Sequence, residues 1–280
     1  MIPGEFRDIS YEKDDSGVVT LTFNTPKRKN ALSLYTFFEI RQAIDCFEQD
    51  DAAHVMILTG AKDTNSDDPA KEAYSSGGYF NPDAYEGVAD EVVQQLDQSD
   101  VAQKQTTLKI YQCYKPIIAA VNGLAIGGAL TLTLAGADQI YLSEHAWLQL
   151  PFAKLGITPE LASSFLLPRL VGRLKAKEIM FFGDRINAQE ALQLQLANAV
   201  LPHEELLPYA REKALQLIPP LGSGRAIREM KKLLNEPHVE AISDALDAEN
   251  RLLRELFVSG DFAEALTARM ERRPPVFKGA

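Results

Sequence analysis

Residues 116–137 read PIIAAVNGLAIGGALTLTLAGA, a run with no charged side chain. A stretch of that length and polarity must either cross a membrane or lie at the centre of a core. Asn122 and the glycines at 123, 127, 128 and 136 interrupt it with turn signals, which predicts a buried strand over PIIAAVN and a helix after Gly127. A buried strand needs partners on both sides. The neighbouring sequence has to supply a sheet.

It does so on both flanks. VVTLTFN (18–24) alternates like a half-buried strand and follows the turn residues DDSG, so the chain opens with a hairpin. From Leu34 the positions Leu34, Phe37, Ile40, Ile44 and Phe47 share one helical face, with Ser33 as the N-cap. HVMILTG (54–60) is a further buried strand, and strand, helix, strand is the signature of a parallel sheet. Residues 61–85 read as a long loop, 90–114 as helical, DQIYLS and WLQL as strands, and NAVL (198–201) as a short strand within a largely helical remainder. PPLGSG (219–224) marks a boundary before helices over 223–271 that carry Ile227, Met230, Leu233, Leu234, Ile242, Leu246, Leu252, Leu253, Leu256 and Phe257 at helical spacing. The expected organisation is an α/β core over 1–200 and a C-terminal helical region over 201–280, whose apolar stripe packs on its own domain or against a second copy.

The charge balance excludes several functions. A net charge of −10 argues against nucleic acid, whose phosphates need a basic face. Cys46 and Cys113 lack CxxC spacing, and His54, His145, His203 and His238 are scattered without HExxH, so neither a metal site nor a disulfide is expected. The serines at 75, 76, 163 and 164 have no GxSxG context. MIPGEFRDIS carries no leader pattern and FKGA no peroxisomal address, which sets the expectation of a cytoplasmic protein.

Two glycine segments remain, YSSGGYF (74–80) and VNGLAIGGALTL (121–132). Glycines at a strand-to-helix junction let backbone N–H groups approach a ligand, and the helix start adds partial positive charge. Neither segment is a P-loop or GxGxxG, and glycines that merely permit close helix packing are the simpler alternative. If the segments converge, two amides can share one oxygen that becomes negative during reaction, such as a thioester carbonyl losing a proton from its neighbouring carbon. Such a site needs a base. Glu160, alone among apolar and small residues in LGITPELASSF, is either that base or a helix-start residue placed for the helix dipole.

The run from Lys115 to Ile157, followed by LPRLVGRLKAKEIMFFGDRINAQEALQLQLANAVLP, resembles the crotonase superfamily, the enoyl-CoA hydratase and isomerase group, as do RKNALS (28–33), SSGGYF and RRPPVFKGA. The resemblance implies a crotonase-like spiral of ββα units with a C-terminal helical trimerisation region, a homotrimer or hexamer, and an acyl-CoA substrate whose coenzyme A is the only cofactor-like group. It places oxyanion donors at Gly78 and Gly128, and substrate contacts at Lys29, Ala31, Leu32, Ser76, Gly77, Tyr79, Phe80, Gly127, Phe152 and Phe165. Lys27 and Arg28 extend the basic patch at Lys29, which reads either as a solvated face or as a contact for the nucleotide phosphates.

Departures from the family pattern narrow the chemistry. The two glutamates that hold water in the family's hydratases are here Thr131 and Phe152, and the aspartate that ends the first oxyanion loop is Tyr79. Glu160 stands where the peroxisomal-type Δ3,Δ2-enoyl-CoA isomerases carry their single catalytic acid, and its apolar neighbours Leu155, Ile157, Leu161 and Phe165 should raise its pKa. The expectation is an enoyl-CoA isomerase. The alternatives are another crotonase-type reaction (hydratase, dehalogenase or ring closure) or an acyl-CoA-binding protein without turnover.

Overall fold

The computed structural model describes residues 6–63 and 65–279. The first five positions of the N-terminal segment, Thr64 in the acidic loop and the final Ala280 lie outside the described residues.

The opening hairpin is present: β1 (Ile9–Lys13) and β2 (Val18–Phe23) pair antiparallel, and Asp14 closes the turn by accepting the Ser16 amide at 2.9 Å. Helix α1 (Leu34–Gln49) starts at Ser33, whose hydroxyl accepts the Thr36 amide while the Thr36 hydroxyl accepts the Ser33 amide, both at 3.1 Å. This reciprocal cap satisfies two otherwise unpaired donors. β3 (Val55–Gly60) then lies parallel to β2.

From β3 onward each turn of the chain has the same form. A long strand joins the main sheet, a three-residue strand joins a second sheet, and a helix follows. The turns are β3 with β4 (Ala73–Ser75) and the helices α2 (Asp90–Val93) and α3 (Lys104–Gln112); β5 (Ile117–Val121) with β6 (Leu124–Ile126) and α4 (Gly128–Gly136); and β7 (Gln139–Ser143) with β8 (Trp147–Gln149) and α5 (Ser163–Val171). After α6 (Arg173–Phe182) come β9 (Ile186–Asn187), α7 (Ala188–Gln193) and β10 (Ala199–Leu201). The main sheet has the order β1-β2-β3-β5-β7-β10 and the smaller one β4-β6-β8-β9. This is the ββα spiral that the resemblance implied.

The main-sheet strands are apolar on both faces because both are covered. Met56, Leu58, Ala119, Val121 and Leu142 face a core shared with α1, α4 and the smaller sheet. Val55, Ile57, Ile118, Ala120 and Tyr141 pack against Leu206, Ala210 and Ala214 of α8 (Leu206–Gln216). Three helices complete the chain: α9 (Gly224–Asn235), α10 (Val239–Leu256) and α11 (Gly260–Glu271). Ile242, Leu246 and Leu253 of α10 are buried against Ala102, Tyr111 and Ala162, whereas Met230, Leu233 and Leu234 of α9 remain exposed. The expected apolar stripe therefore divides into a packed half and an open half.

Two expectations need correction. Residues 90–114 form no continuous helix. A short α2 ends at Val93 and α3 begins only at Lys104, after Gln103 in the left-handed region at φ 52°. Asp100 supplies what an N-cap would, accepting the Lys104 and Gln105 amides at 2.7 and 2.9 Å. The loop 61–85 and the glycine turn after β5 contain strands β4 and β6, each too short to show alternation in sequence.

Asn122 ties the two sheets together. Its side chain pairs with both the amide and the carbonyl of Gly60 at 3.1 Å and donates to Glu72 at 2.8 Å. Beside it, Gly123 meets the backbone so closely that a Cβ would lie 2.1 Å from the Glu72 carbonyl oxygen. Gly123→Ala should therefore destabilise the fold by ~1–3 kcal/mol, as forced overpacking does. Thermal unfolding against Gly224→Ala, where a Cβ meets nothing closer than 3.8 Å, checks this.

Candidate active site

The site begins with an anchored turn. Asn30, at φ 54°, accepts the Thr25 amide and donates to the carbonyls of Ala61 and Ala73 at 2.9 and 2.7 Å. Asp8 accepts from Arg7 (2.8 Å), Thr36 (2.6 Å) and Arg28 (2.6 Å). Burial alone would raise the Asp8 pKa, but these donors outweigh it and hold the carboxyl below its ordinary range. The turn thus presents a fixed backbone edge. The first glycine loop runs along it: Ser76 donates to the Lys29 carbonyl, Leu32 to that of Gly77, and Tyr79 to that of Leu32, at 2.8–2.9 Å.

The second glycine loop is brought alongside the first by Gly77. Its φ of 84° already favours glycine, and a Cβ there would stand 2.4 Å from the Ile126 carbonyl oxygen and 3.6 Å from the Gly128 nitrogen. Gly127 (φ 52°, ψ −124°) then turns the chain from β6 into α4, so the Gly128 amide sits in the first turn of a helix. Among the described residues, neither the Gly78 nor the Gly128 amide donates to a protein acceptor. Both are free to hold a ligand oxygen.

Glu160 closes the group. A Cβ on Gly128 would meet its Oε1 at 3.2 Å, so the carboxylate lies directly over the helix start. Gly78, Gly128 and Glu160 line one cavity of about 430 Å³, walled by Leu32, Leu34, Phe37, Tyr85, Val101 and Phe257, with Tyr79 and Phe80 at the first loop. A larger cleft of about 550 Å³ lies on the far side of Asp100, but its walls include Asp97, Lys104, Asp247, Arg251 and Arg254, which suits no acyl chain.

The Glu160 side chain is half-buried, and what remains accessible opens into the cavity it lines. Among the described residues no donor reaches its carboxylate. Its pKa is accordingly pushed up to about 8, first by burial and then by the negative charge of Glu249. A carboxyl poised there can take and return a proton near neutral pH.

Other expected site residues divide. Leu32, Tyr79 and Phe80 reach the cavity, and Gly77 and Gly127 shape it. Ala31 is buried in the anchored turn and Ser76 is tied to it through the Arg28 carbonyl. Lys27 and Lys29 are exposed, whereas Arg28 is engaged by Asp8 and stacks on the Tyr79 ring at 4.5 Å. Phe152 and Phe165 correct the expectation of an aromatic pocket lining. Phe152 is fully within the main core, and Phe165 packs toward α10 with Arg169 on its ring, so neither borders the cavity. Thr131 is also buried, its hydroxyl spent on the Gly127 carbonyl at 3.2 Å.

Sequence reasoning missed Glu249 and Asn250 of α10. Asn250 accepts the Ala102 amide at 2.7 Å and donates to Asp100 at 2.8 Å, fixing one cavity wall. Glu249 accepts the Ala162 and Ser164 amides at 2.8 and 3.0 Å and the Ser164 hydroxyl, fixing the loop that carries Glu160. Adjacent polar residues at 249 and 250 within an apolar helical stripe were the available signal.

Comparison with known proteins agrees with this geometry. The enoyl-CoA hydratase/isomerase family model matches residues 13–280. A crotonyl-CoA hydratase of Syntrophomonas wolfei is 33% identical over 97% of this chain and 98% of its own. Enoyl-CoA delta isomerase 2 of Rattus norvegicus is 27% identical over 93% of this chain and 63% of its own. The crystal structure of an enoyl-CoA hydratase/isomerase from Pseudoalteromonas atlantica superimposes with a TM-score of 0.81 at 27% identity, covering 97% of this chain and all of that one. With two free glycine amides and a half-buried carboxyl converging inside a spiral that the family model matches from residue 13 to residue 280, the chain belongs to the enoyl-CoA hydratase/isomerase family.

Proposed function

We propose that the protein is a Δ3,Δ2-enoyl-CoA isomerase in which Glu160 alone moves the proton. The carrying observation is that Glu160 sits over the Gly128 amide in a mainly apolar cavity, while the family's two water-holding positions are Thr131 and Phe152. Hydration needs a carboxylate to hold and activate a water, and neither residue has one. In the proposed reaction the ionised Glu160 takes a proton from carbon 2 of a 3-enoyl thioester. The electron pair moves onto the carbonyl oxygen, where the Gly78 and Gly128 amides stabilise the enolate. Glu160, now protonated, returns the proton to carbon 4 on the same face, and the enolate collapses to the conjugated 2-enoyl thioester. Protons and electrons balance without a cofactor beyond the coenzyme A of the substrate.

The polar end of the substrate fits the exposed Lys27 and Lys29, which remain available to the nucleotide phosphates. A homotrimer or hexamer is part of the same reading, supported by the exposed Met230, Leu233 and Leu234. No helix among the described residues is long and apolar enough to cross a membrane. A cytoplasmic location belongs to the same reading.

Conversion of 3-enoyl-CoA to the conjugated product, followed by its ultraviolet absorbance, should proceed with wild type and fall by about 10²- to 10⁴-fold in kcat for Glu160→Gln, with acyl-CoA binding retained. Equal turnover in the two proteins overturns the assignment. The base form is needed in the free enzyme, so kcat/KM should rise with pH through about 8.

Stability should move the other way. A carboxyl whose pKa rises from 4.5 to about 8 on folding binds its proton more tightly in the folded state, so its stabilisation is full below 4.5 and is lost as pH rises through 8. Glu160→Gln carries no such penalty. Its Tm should exceed that of wild type above pH 8, by roughly 2–4 °C per kcal/mol relieved, and the difference should shrink toward pH 5.

A further inference from the structure

Glu160 reaches the cavity on an improbable stretch of backbone. The two residues after it, Leu161 and Ala162, both lie in the left-handed region at φ 51° and 59°. For non-glycine residues each such conformation costs on the order of 1–3 kcal/mol and persists only where surrounding contacts enforce it. Ser163 closes the turn locally, its amide and hydroxyl donating to the Glu160 carbonyl at 3.0 and 2.7 Å, and one side chain on another element braces it from outside. Glu249, only 4% exposed on α10, spans the turn by accepting the Ala162 amide with one oxygen and the Ser164 amide and hydroxyl with the other. Leu161 and Ala162 are themselves fully buried, so the turn has no solvent to relax into.

We propose that Glu249, which borders no part of the cavity, is the positioning residue for Glu160: its carboxylate braces the left-handed Leu161–Ala162 turn and so aims Glu160 at the face of Gly128. This role rests on the reading that Glu160 moves the proton.

An electrostatic consequence follows from the same contacts. Burial raises the Glu249 carboxyl above its ordinary range as well, but every group bonded to it is a donor that opposes the rise and favours the ionised form, whereas Glu160 has no protein donor among the described residues. Of the two carboxyls, Glu249 therefore holds the charge and Glu160 the exchangeable proton. The other titratable groups lining the cavity with Glu160 are Tyr79, Tyr85 and Asp100; the charge that raises Glu160 is that of Glu249.

Two readouts test the brace. In Glu249→Gln the amide can accept from only one of the two backbone donors and carries no charge. Its kcat on 3-enoyl-CoA should fall about tenfold or more while KM stays within about twofold, the pattern of lost alignment rather than lost binding. Independently of turnover, the Glu160 carboxyl, followed by ¹³C NMR and assigned by its absence in Glu160→Gln, should titrate at a lower pH than in wild type. Glu249→Asp keeps the charge but shortens the reach, so it should restore the titration toward about 8 while leaving kcat depressed. An unmoved Glu160 titration, or an unchanged kcat, in folded Glu249→Gln overturns the proposal. Should Glu249→Gln fail to fold, Ser164→Ala decides: losing the hydroxyl bond should move the Glu160 titration down by a smaller step, and no movement overturns the proposal. If wild type itself turns over no 3-enoyl-CoA, the isomerase reading falls while the titration still decides whether Glu249 braces and charges the loop.

Discussion

The site depends on the absence of one side chain. Gly77 lets the first glycine loop approach the backbone of the second so closely that a single added carbon would stand 2.4 Å from the Ile126 carbonyl oxygen. Only at that separation can amides from two different turns of the spiral, Gly78 and Gly128, face one cavity. Everything around the contact holds it in place. Asn30 and Asp8 fix the turn along which the first loop runs, and Asn122 locks β5 to β3 and to the strand entering that loop. Buried polar side chains with all partners supplied make a rigid frame, and a rigid frame is what preorganised donors require.

Burial raises both Glu160 and Glu249, and their hydrogen-bond partners set them apart. Glu249 is surrounded by donors, and Glu160 by apolar walls and a helix start. The Gly128 helix end favours negative charge at Glu160, yet its pKa is raised, so desolvation and the Glu249 charge exceed the dipole. A base that is difficult to ionise in the resting state is a stronger base once ionised. In the proposed isomerisation, the same desolvation that costs stability near pH 8 gives the carboxylate its affinity for a weakly acidic carbon-bound proton.

The parts of this arrangement differ in how plainly they can be read from the chain. The main-sheet strands, α1 with its Ser33 cap and the strand, turn and helix over 116–137 follow from periodicity and local cap chemistry, which act within a few residues. Glu160, Gly78 and Gly128 were found because an isolated acid and paired glycines are conspicuous, with the family resemblance supplying their convergence. What escaped depends on distant partners. Strands β4 and β6 have three residues each and exist only through pairing with distant strands, β4 with β6 and β6 also with β8. The break at 94–103 is held by Asp100 and, through Asn250, by a helix some 150 positions away. The resemblance puts Phe152 and Phe165 among the substrate contacts, but aromatic residues suit a core as well as an acyl chain, and packing decides between them.

The relatives named above include both a hydratase at 33% identity and an isomerase at 27%, and the larger number does not settle the chemistry. Identity over the full chain is accumulated mainly by the scaffold: sheet residues, close-approach glycines and the caps that position them. Reaction type within such a scaffold is a matter of which cavity positions carry an acid and whether water can be held there. Replacing two carboxylates by Thr131 and Phe152 alters overall identity by less than one per cent, yet it removes both groups that could activate a water. Thr131 has its hydroxyl committed to the helix backbone, and Phe152 fills core volume. A cavity lacking those acids and holding one protonatable carboxyl above an amide pair can still move a proton between two carbons. The isomerase reading therefore follows from subtraction at named positions as much as from the presence of Glu160.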